Sequence, residues 1–310
     1  MGAGFQDKIR IMGFGNANNV NDVGFHGGGG GRWGTPLQGL NAKKLLGVNI
    51  NYDDKSRLKL DGSARWNHSD GDVHSTQSIE NFVNKSGAFS NSDNHNYTRG
   101  DSYDARFKLE WKPDTLTDIL LRPQFSYSEN DTQNSGLSAT YNDNPYIYSD
   151  NPLSTSVIEE LKAEGMMVNS RSNCSVAYSE SKSAGTKLQI NRKLNKMGRN
   201  ITLLGNVIYS DSKSNNLSMA NVHLYQVKDR LGNDSIYQTN RYSMTPTKNW
   251  KTDAQLTYSE PLWRGTFLQL SYKFTYNYKK SDRETYDFSD VESGLFDNVS
   301  MGWPASGESF

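Results

Sequence analysis

Between Leu268 and Lys279 apolar and polar residues alternate without a miss. Leu268, Leu270, Tyr272, Phe274, Tyr276 and Tyr278 fall on one side, and Gln269, Ser271, Lys273, Thr275, Asn277 and Lys279 on the other. Period two is the mark of a β-strand, whose successive side chains leave opposite faces of the pleat. The run exceeds the roughly 5–6 residues of an ordinary globular strand. Its apolar side also passes from leucine to aromatic residues. A tilted strand crosses a bilayer in about 9–11 residues, with aromatics gathering near the headgroups. This stretch therefore predicts a transmembrane β-strand.

The rest of the chain repeats the plan. Ile9 and Ile11 mark a short strand over 7–14. Residues 46–52 and 58–66 alternate about the polar turn Asp53, Asp54, Lys55, Ser56 and predict a hairpin. Tyr103, Ala105, Phe107, Leu109 and Trp111 form one side of the next strand, and 119–127 follow across a turn holding Pro113 and Asp114. Pro123 lacks a ladder donor and predicts a bulge or a weakly paired position. Further strands cover 187–194, where Arg192 breaks the apolar side, and 201–209. Trp250, Thr252, Ala254, Leu256 and Tyr258 then alternate with Lys251, Asp253, Gln255 and Thr257. The intervening 15–41, 67–100, 128–181 and 210–249 read as long polar loops. A short helix is expected over 154–164 and a small hairpin pairing 223–225 with 235–237, while 281–310 reads as polar without a closing strand.

Connections thus alternate between short and long, as in an up-and-down membrane barrel. The predicted fold is all-β: one antiparallel transmembrane β-barrel domain over 1–310, partial, with about 9–10 spanning strands. Short turns face the periplasm and long loops the exterior. Leu256, Leu268, Leu270, Tyr272, Phe274, Phe107 and Leu109 are expected to face lipid. Lys251, Asp253, Gln255, Gln269, Ser271, Lys273, Thr275 and Asn277 are expected to face the lumen, against plug or solute, or simply as solvated wall. Tyr52, Trp111, Tyr258 and Trp263 mark one membrane interface; Trp66, Tyr127, Trp250 and Tyr276 mark the other.

Composition fits this pattern. Hydrophobic residues make up 34% and mean hydropathy is −0.78, low for a dense globular core, yet aromatics reach 11%. A barrel reconciles the two, because only alternate residues of short segments face lipid. No window approaches 18 uninterrupted apolar residues, which excludes a helical membrane protein. Lys plus Arg (34) balances Asp plus Glu (34), so no basic field argues for nucleic acid. The single Cys174 forbids an internal disulfide and a cysteine metal cluster. The opening MGAGFQDKIRIMGFG has no apolar signal core. An exported barrel needs a signal, so the chain is expected to be a segment of a longer protein.

The segment GFGNANNVNDVGFHGGGGG and the later GLNAKKLLGVNINYDDKSRLKLDGSARWNHSDGD resemble the outer-membrane β-barrel family related to TonB-dependent receptors of Gram-negative bacteria. NRKLNKMGRNITLLGNVIYSDS, HLYQVKD, TPTKNW and YSEPLWRGTFLQLSYKF share the likeness, which runs from Gly13 to Asp290. The resemblance implies a full protein with a signal peptide, a carboxypeptidase-regulatory-like β-sandwich and a plug domain ahead of the barrel; none is visible in these residues. It implies as partners outer-membrane lipid, the plug, the inner-membrane energising complex and an unidentified nutrient.

Candidate chemistry yields to plainer readings. The glycines at 27–31 lack the G-x-x-x-x-G-K-[ST] pattern and read as surface loop. Asn142, Asp143, Asn144, Asp150 and Asn151 lack EF-hand spacing and read as turn builders. His26, His68, His74, His95 and His223 have no metal-site spacing. Asp104, Glu110 and Asp253 share strand faces with Arg106, Lys108, Arg122 and Lys251, and read as lumen charges bonded across strands rather than a hydrolase pair. Cys174 has no framed partner. No catalytic, cofactor or metal residue is assigned. The expected function is an outer-membrane receptor and transporter barrel. The alternatives are a surface adhesion barrel without transport and a soluble all-β carbohydrate-binding or hydrolytic module.

Overall fold

The computed structural model describes residues 2–5, 8–18, 39–82, 87–195, 197–263 and 265–287. The glycines at 27–31, His26 and most of the polar tail lie outside them. The strands are β1 (Gly2–Phe5), β2 (Ile9–Asn18), β3 (Leu40–Asp53), β4 (Leu58–Glu80), β5 (Phe89–Asp114) and β6 (Thr117–Tyr141). After helix α1 (Thr155–Ala163) come β7 (Met167–Lys193), β8 (Asn200–Lys228), β9 (Asp234–Trp263), β10 (Thr266–Ser281) and β11 (Glu284–Asp287). Each strand from β1 to β10 pairs antiparallel with its neighbour in sequence, giving one up-and-down sheet. The sheet is open, with β1 and β10 at its ends. β11 resumes β10 against β9 in the same register: Ser281 opposes Thr247 and Glu284 opposes Met244.

Partners in a ladder share a face, so the register collects one side of every strand. The row through Tyr52 runs Leu60, Leu109, Leu121, Leu188, Gly205, Ala254 and Phe274 from β4 to β10. The adjacent row runs Leu58, Trp111, Ile119, Ile190, Leu203, Leu256 and Tyr272. Together these rows form an apolar band across the sheet. On β4 it reaches from Leu58 to Trp66, on the order of 25 Å of strand at about 3.3 Å per residue. On β7 to β10 it sits nearer the short-turn end. Lys182, Asp211, Lys248 and Lys280 occupy the row that holds Trp66, Tyr103 and Tyr127 on β4 to β6. A level band that slips along successive strands is the geometry of tilted strands.

Beyond the band the chain departs from the sequence expectation. Most of 67–100, 128–181 and 210–249 is strand, not loop. β4 to β9 are 23 to 30 residues long. Pairing needs only backbone partners in register, and the band below supplies that register. The described connections at this end are short, except for 142–166 between β6 and β7. The expected hairpin over 223–225 and 235–237 is the tip of the long β8–β9 pair. The expected helix is α1, with Ser154 in the N-cap position and Gly165 ending it at φ +73°. Pro123 behaves as predicted: between Arg106–Gln124 and Leu109–Leu121 the β5–β6 ladder lacks two rungs.

Asx side chains build the tight turns. Asp54 Oδ1 accepts from the backbone N–H of Ser56, Arg57 and Leu58 at 2.8, 2.8 and 3.0 Å. Asp114, Asn195 and Asp229 serve the β5–β6, β7–β8 and β8–β9 turns in the same way. The one core cluster among the described residues lies at the far end. Ala139, Tyr141, Leu161 and Met167 are fully buried, with Phe89, Val157, Ile158 and Tyr225 packed on them. The Tyr141 hydroxyl donates to the Pro152 carbonyl at 2.9 Å, which ties the 142–166 connection down.

Leu161→Ala should cost about 2–5 kcal/mol in this cluster. The expected result is lost hydrogen-exchange protection over 142–166, with the β3–β4 hairpin unchanged. The backbone N–H of Leu58, foremost, and of Ser56 pull the Asp54 carboxyl from its ordinary 3.8 to about 2. A carboxyl so depressed stabilises the turn above its ordinary pKa and loses that contribution as pH falls through the lowered value. Its carboxyl ¹³C signal should titrate near pH 2, with the Ser56 to Leu58 amides losing protection over the same range.

Candidate functional site

The face opposite the band is mostly polar, with Met12, Leu120, Leu204 and Ile208 among its residues, and all the predicted lumen residues lie on it. Across β9 and β10, Lys251 opposes Asn277, Asp253 opposes Thr275 and Gln255 opposes Lys273. Thr257 and Ser259 oppose Ser271 and Gln269. Side-chain bonds knit the pair together. Asp253 accepts from Asn206 Nδ2 at 3.2 Å and Thr275 Oγ1 at 3.1 Å, with Lys251 Nζ at 3.7 Å. Gln255 Nε2 donates to Ser271 Oγ at 3.0 Å. On β4 and β5, Lys108 meets Asp61 at 3.9 Å and also Glu110, and Arg106 meets Asp104 at 4.0 Å. Of these ion pairs only Lys108–Asp61 crosses between strands as expected from sequence; Lys251–Asp253, Lys108–Glu110 and Arg106–Asp104 run along a single strand, and nothing in their bonding singles out a reacting pair.

Further toward the long-strand end the same face loses its charge. Asn67, Ser102, Ser128, Ser181, Ser212 and Thr247 form one row. Across β4 to β9 the next two rows hold only Ser, Thr, Asn, Gly and Ala, and β3 adds Lys43 to the first of them. Sequence reasoning missed this surface by reading it as loop; the signal was Ser, Thr or Asn at every second position.

The band face changes character at its ends. Tyr103 and Tyr127 lie with ring centroids 5.9 Å apart, and Tyr209 and Trp250 likewise at 5.9 Å. Tyr278 shares the Tyr209–Trp250 row, while Tyr276, the expected interface residue, sits one pair further into the band. Trp263 lies beside the bulge that opens β10. Several polar tips reach past the band: Trp66 Nε1 donates to Asp101 at 2.8 Å and the Tyr127 hydroxyl to Glu129 at 2.8 Å.

Just beyond, His68 is buried between two carboxylates, Nδ1 at 3.0 Å from Asp101 and Nε2 at 2.8 Å from Asp70. His74 faces Asp93 and His95 faces Asp72. Among the described residues no group of three or more His, Cys, Asp or Glu is arranged to hold a metal ion. His223 lies elsewhere, beside Tyr225, and burial with the Lys162 charge lowers its pKa. Asn144 accepts from the backbone N–H of Tyr146 two residues on, as a turn builder does, while Asn142 accepts from Gly87 N–H across the sheet end. Cys174 is buried and opposite Met219, and burial pushes its thiol up.

No family model matches the chain, and no curated protein matches it.

Asp101→Ala removes the shared acceptor of Trp66 and His68. It should lower the unfolding free energy by about 1–3 kcal/mol, measured by denaturant titration in detergent. Asp93→Asn, in a solvated pair, should change it by less than about 1 kcal/mol.

Proposed function

We propose that this sheet is wall of an outer-membrane β-barrel receptor that takes up a nutrient, with the apolar band against lipid and the polar face lining the interior. The observation that carries the reading is the band itself. Leu256, Leu268, Leu270 and Phe274 are 45%, 45%, 58% and 49% exposed, and Phe107 is 45% exposed. Among the described residues no second layer covers them. Such a face is costly in water, at about 25 cal/mol per Å² of apolar surface left uncovered, and costs nothing in hydrocarbon. A soluble module would pack these side chains against a second sheet. The aromatic residues at both margins suit two bilayer interfaces.

Closure is the condition a bilayer imposes, because a free edge has no water for its N–H and C=O groups. With β1 counted, the path has ten strands. Its end strands run in opposite directions, as antiparallel closure requires. In a closed wall the free edge of β10 needs a strand partner along its length. Uptake, a plug domain and the inner-membrane energising complex enter by the family resemblance. The 142–166 connection and the uncharged face make the outer vestibule.

Expressed behind an export signal, the chain is expected in the outer-membrane fraction, as a band whose gel mobility changes on heating. A soluble product with unchanged mobility overturns the reading. Refolding into phosphatidylcholine vesicles tests the faces: Leu256→Lys should cost about 2–4 kcal/mol. Gln269→Lys, on the polar face opposite Ser259, should stay within about 0.5 kcal/mol. Equal losses would count against a lipid-facing band.

A further inference from the structure

The polar face carries more cations at the height of the band than its acids can pair. Two open clefts lie there, of about 730 and 460 Å³, and Arg122 belongs to both. The first is lined by Arg10, Arg65, Arg106, Lys108 and Arg122 against one acid, Asp61. The second is lined by Arg122, Lys187, Lys251 and Lys273 against one acid, Asp253. Both acids are engaged already, Asp61 by Asn51 and Lys108, and Asp253 by Asn206, Thr275 and Lys251. Arg10, Arg122, Lys187 and Lys273 make no ion pair with a described residue.

At the centre, Arg122 and Lys187 are direct cross-strand partners on β6 and β7. Side chains so placed start about 4.5–5.5 Å apart at Cβ, and like charges there are destabilising. The chain as a whole is neutral, 34 cations to 34 acids. The excess is therefore a matter of placement and not of composition. Just above these cations, the three rows of the same face across β4 to β9 hold no acid; farther out the face carries Asp287, which is held by Arg241 at 3.0 Å.

We infer that this part of the polar face is an anion-binding surface centred on Arg122 and Lys187, taking a small solute with two or more carboxylate or phosphate groups. Arg122 supplies a planar fork that matches either group with two parallel hydrogen bonds. Lys187 supplies a point charge beside it, and Arg106 and Lys273 extend the surface to either side. A solute with two anionic groups relieves the repulsion between Arg122 and Lys187, and a monovalent one neutralises only half of it.

The inference rests on the proposed reading that the polar face is the aqueous side. Its test is run in detergent, so that it and the fractionation in cells can fail separately. The full chain is titrated calorimetrically with inorganic pyrophosphate over a series of potassium chloride concentrations. Saturable binding that weakens as salt rises is expected. Arg122→Gln with Lys187→Gln should weaken it at least about tenfold. The charge-conserving pair Arg122→Lys with Lys187→Arg should retain it. Lys213→Gln, on the other face beyond the band, should leave it unchanged. Should the neutral double variant fail to fold, Asp253→Asn at the cleft rim is the second arm and should tighten binding. No saturable binding, equal binding by the neutral variant, or an equal loss in Lys213→Gln overturns the proposal.

Discussion

Fixed register in a period-two chain is the constraint on which the molecule depends. A slip of one residue in any strand would exchange its faces, setting Asp61 and Lys108 among Leu109 and Leu121. The structure holds one register through the β4–β10 pairs, with irregularities only at Pro123, at the strand ends and beside the turns. The result is a single layer with an oily side and a wet side. A layer of that kind has no interior of its own, and the one small cluster around Leu161 is too remote to hold the band together. What lies against the oily side therefore decides whether the fold is stable at all.

The same register sorts charge into territories. Guanidinium and ammonium groups gather on the wet side at band height. Hydroxyls and amides take over above them. The carboxylates and histidines of β4 and β5 go to the opposite face, past the aromatic margin, where His68 holds Asp70 and Asp101 together. A chain with no net charge thus presents three polar surfaces of different character. Each suits a different neighbour: an ionic solute, neutral polar matter, or the headgroup zone of a membrane.

Sequence reading reached the lower half of this architecture and stopped. Leu268–Tyr278 and Leu58–Trp66 were plain because one side of each is apolar and the other is not. Ser154 or Ser156 at one end and Gly165 at the other marked the helix, though Ser154 makes no side-chain cap bond, and Asp54 and Asp114 announced their turns. The upper halves of β4 to β9 were hidden because both of their sides are polar: His68 and Asp70 alternate with Asn67 and Ser69, which gives no apolar period to see. Asn and Ser are also poor strand formers taken singly. They are strand here because the paired segments beneath them deliver each backbone to its partner. The Arg122–Lys187 contact was equally invisible, since it exists only once β6 and β7 are aligned. Each residue alone looked like any other wall charge.

Pro123 leaves the sheet with a seam. Where Phe107 and Lys108 should bond to Pro123 and Arg122, two rungs are missing, at the level where hydrocarbon would offer no substitute. Among the described residues, the interior strands β4 and β6 to β9 otherwise keep ladder partners on both sides at this height. Between β5 and β6 the interior of the sheet is therefore held by fewer bonds than in the neighbouring ladders, and the gap includes Arg122. Missing bonds and charge coincide at a single point, and a proline with no amide hydrogen to give is what brings them together.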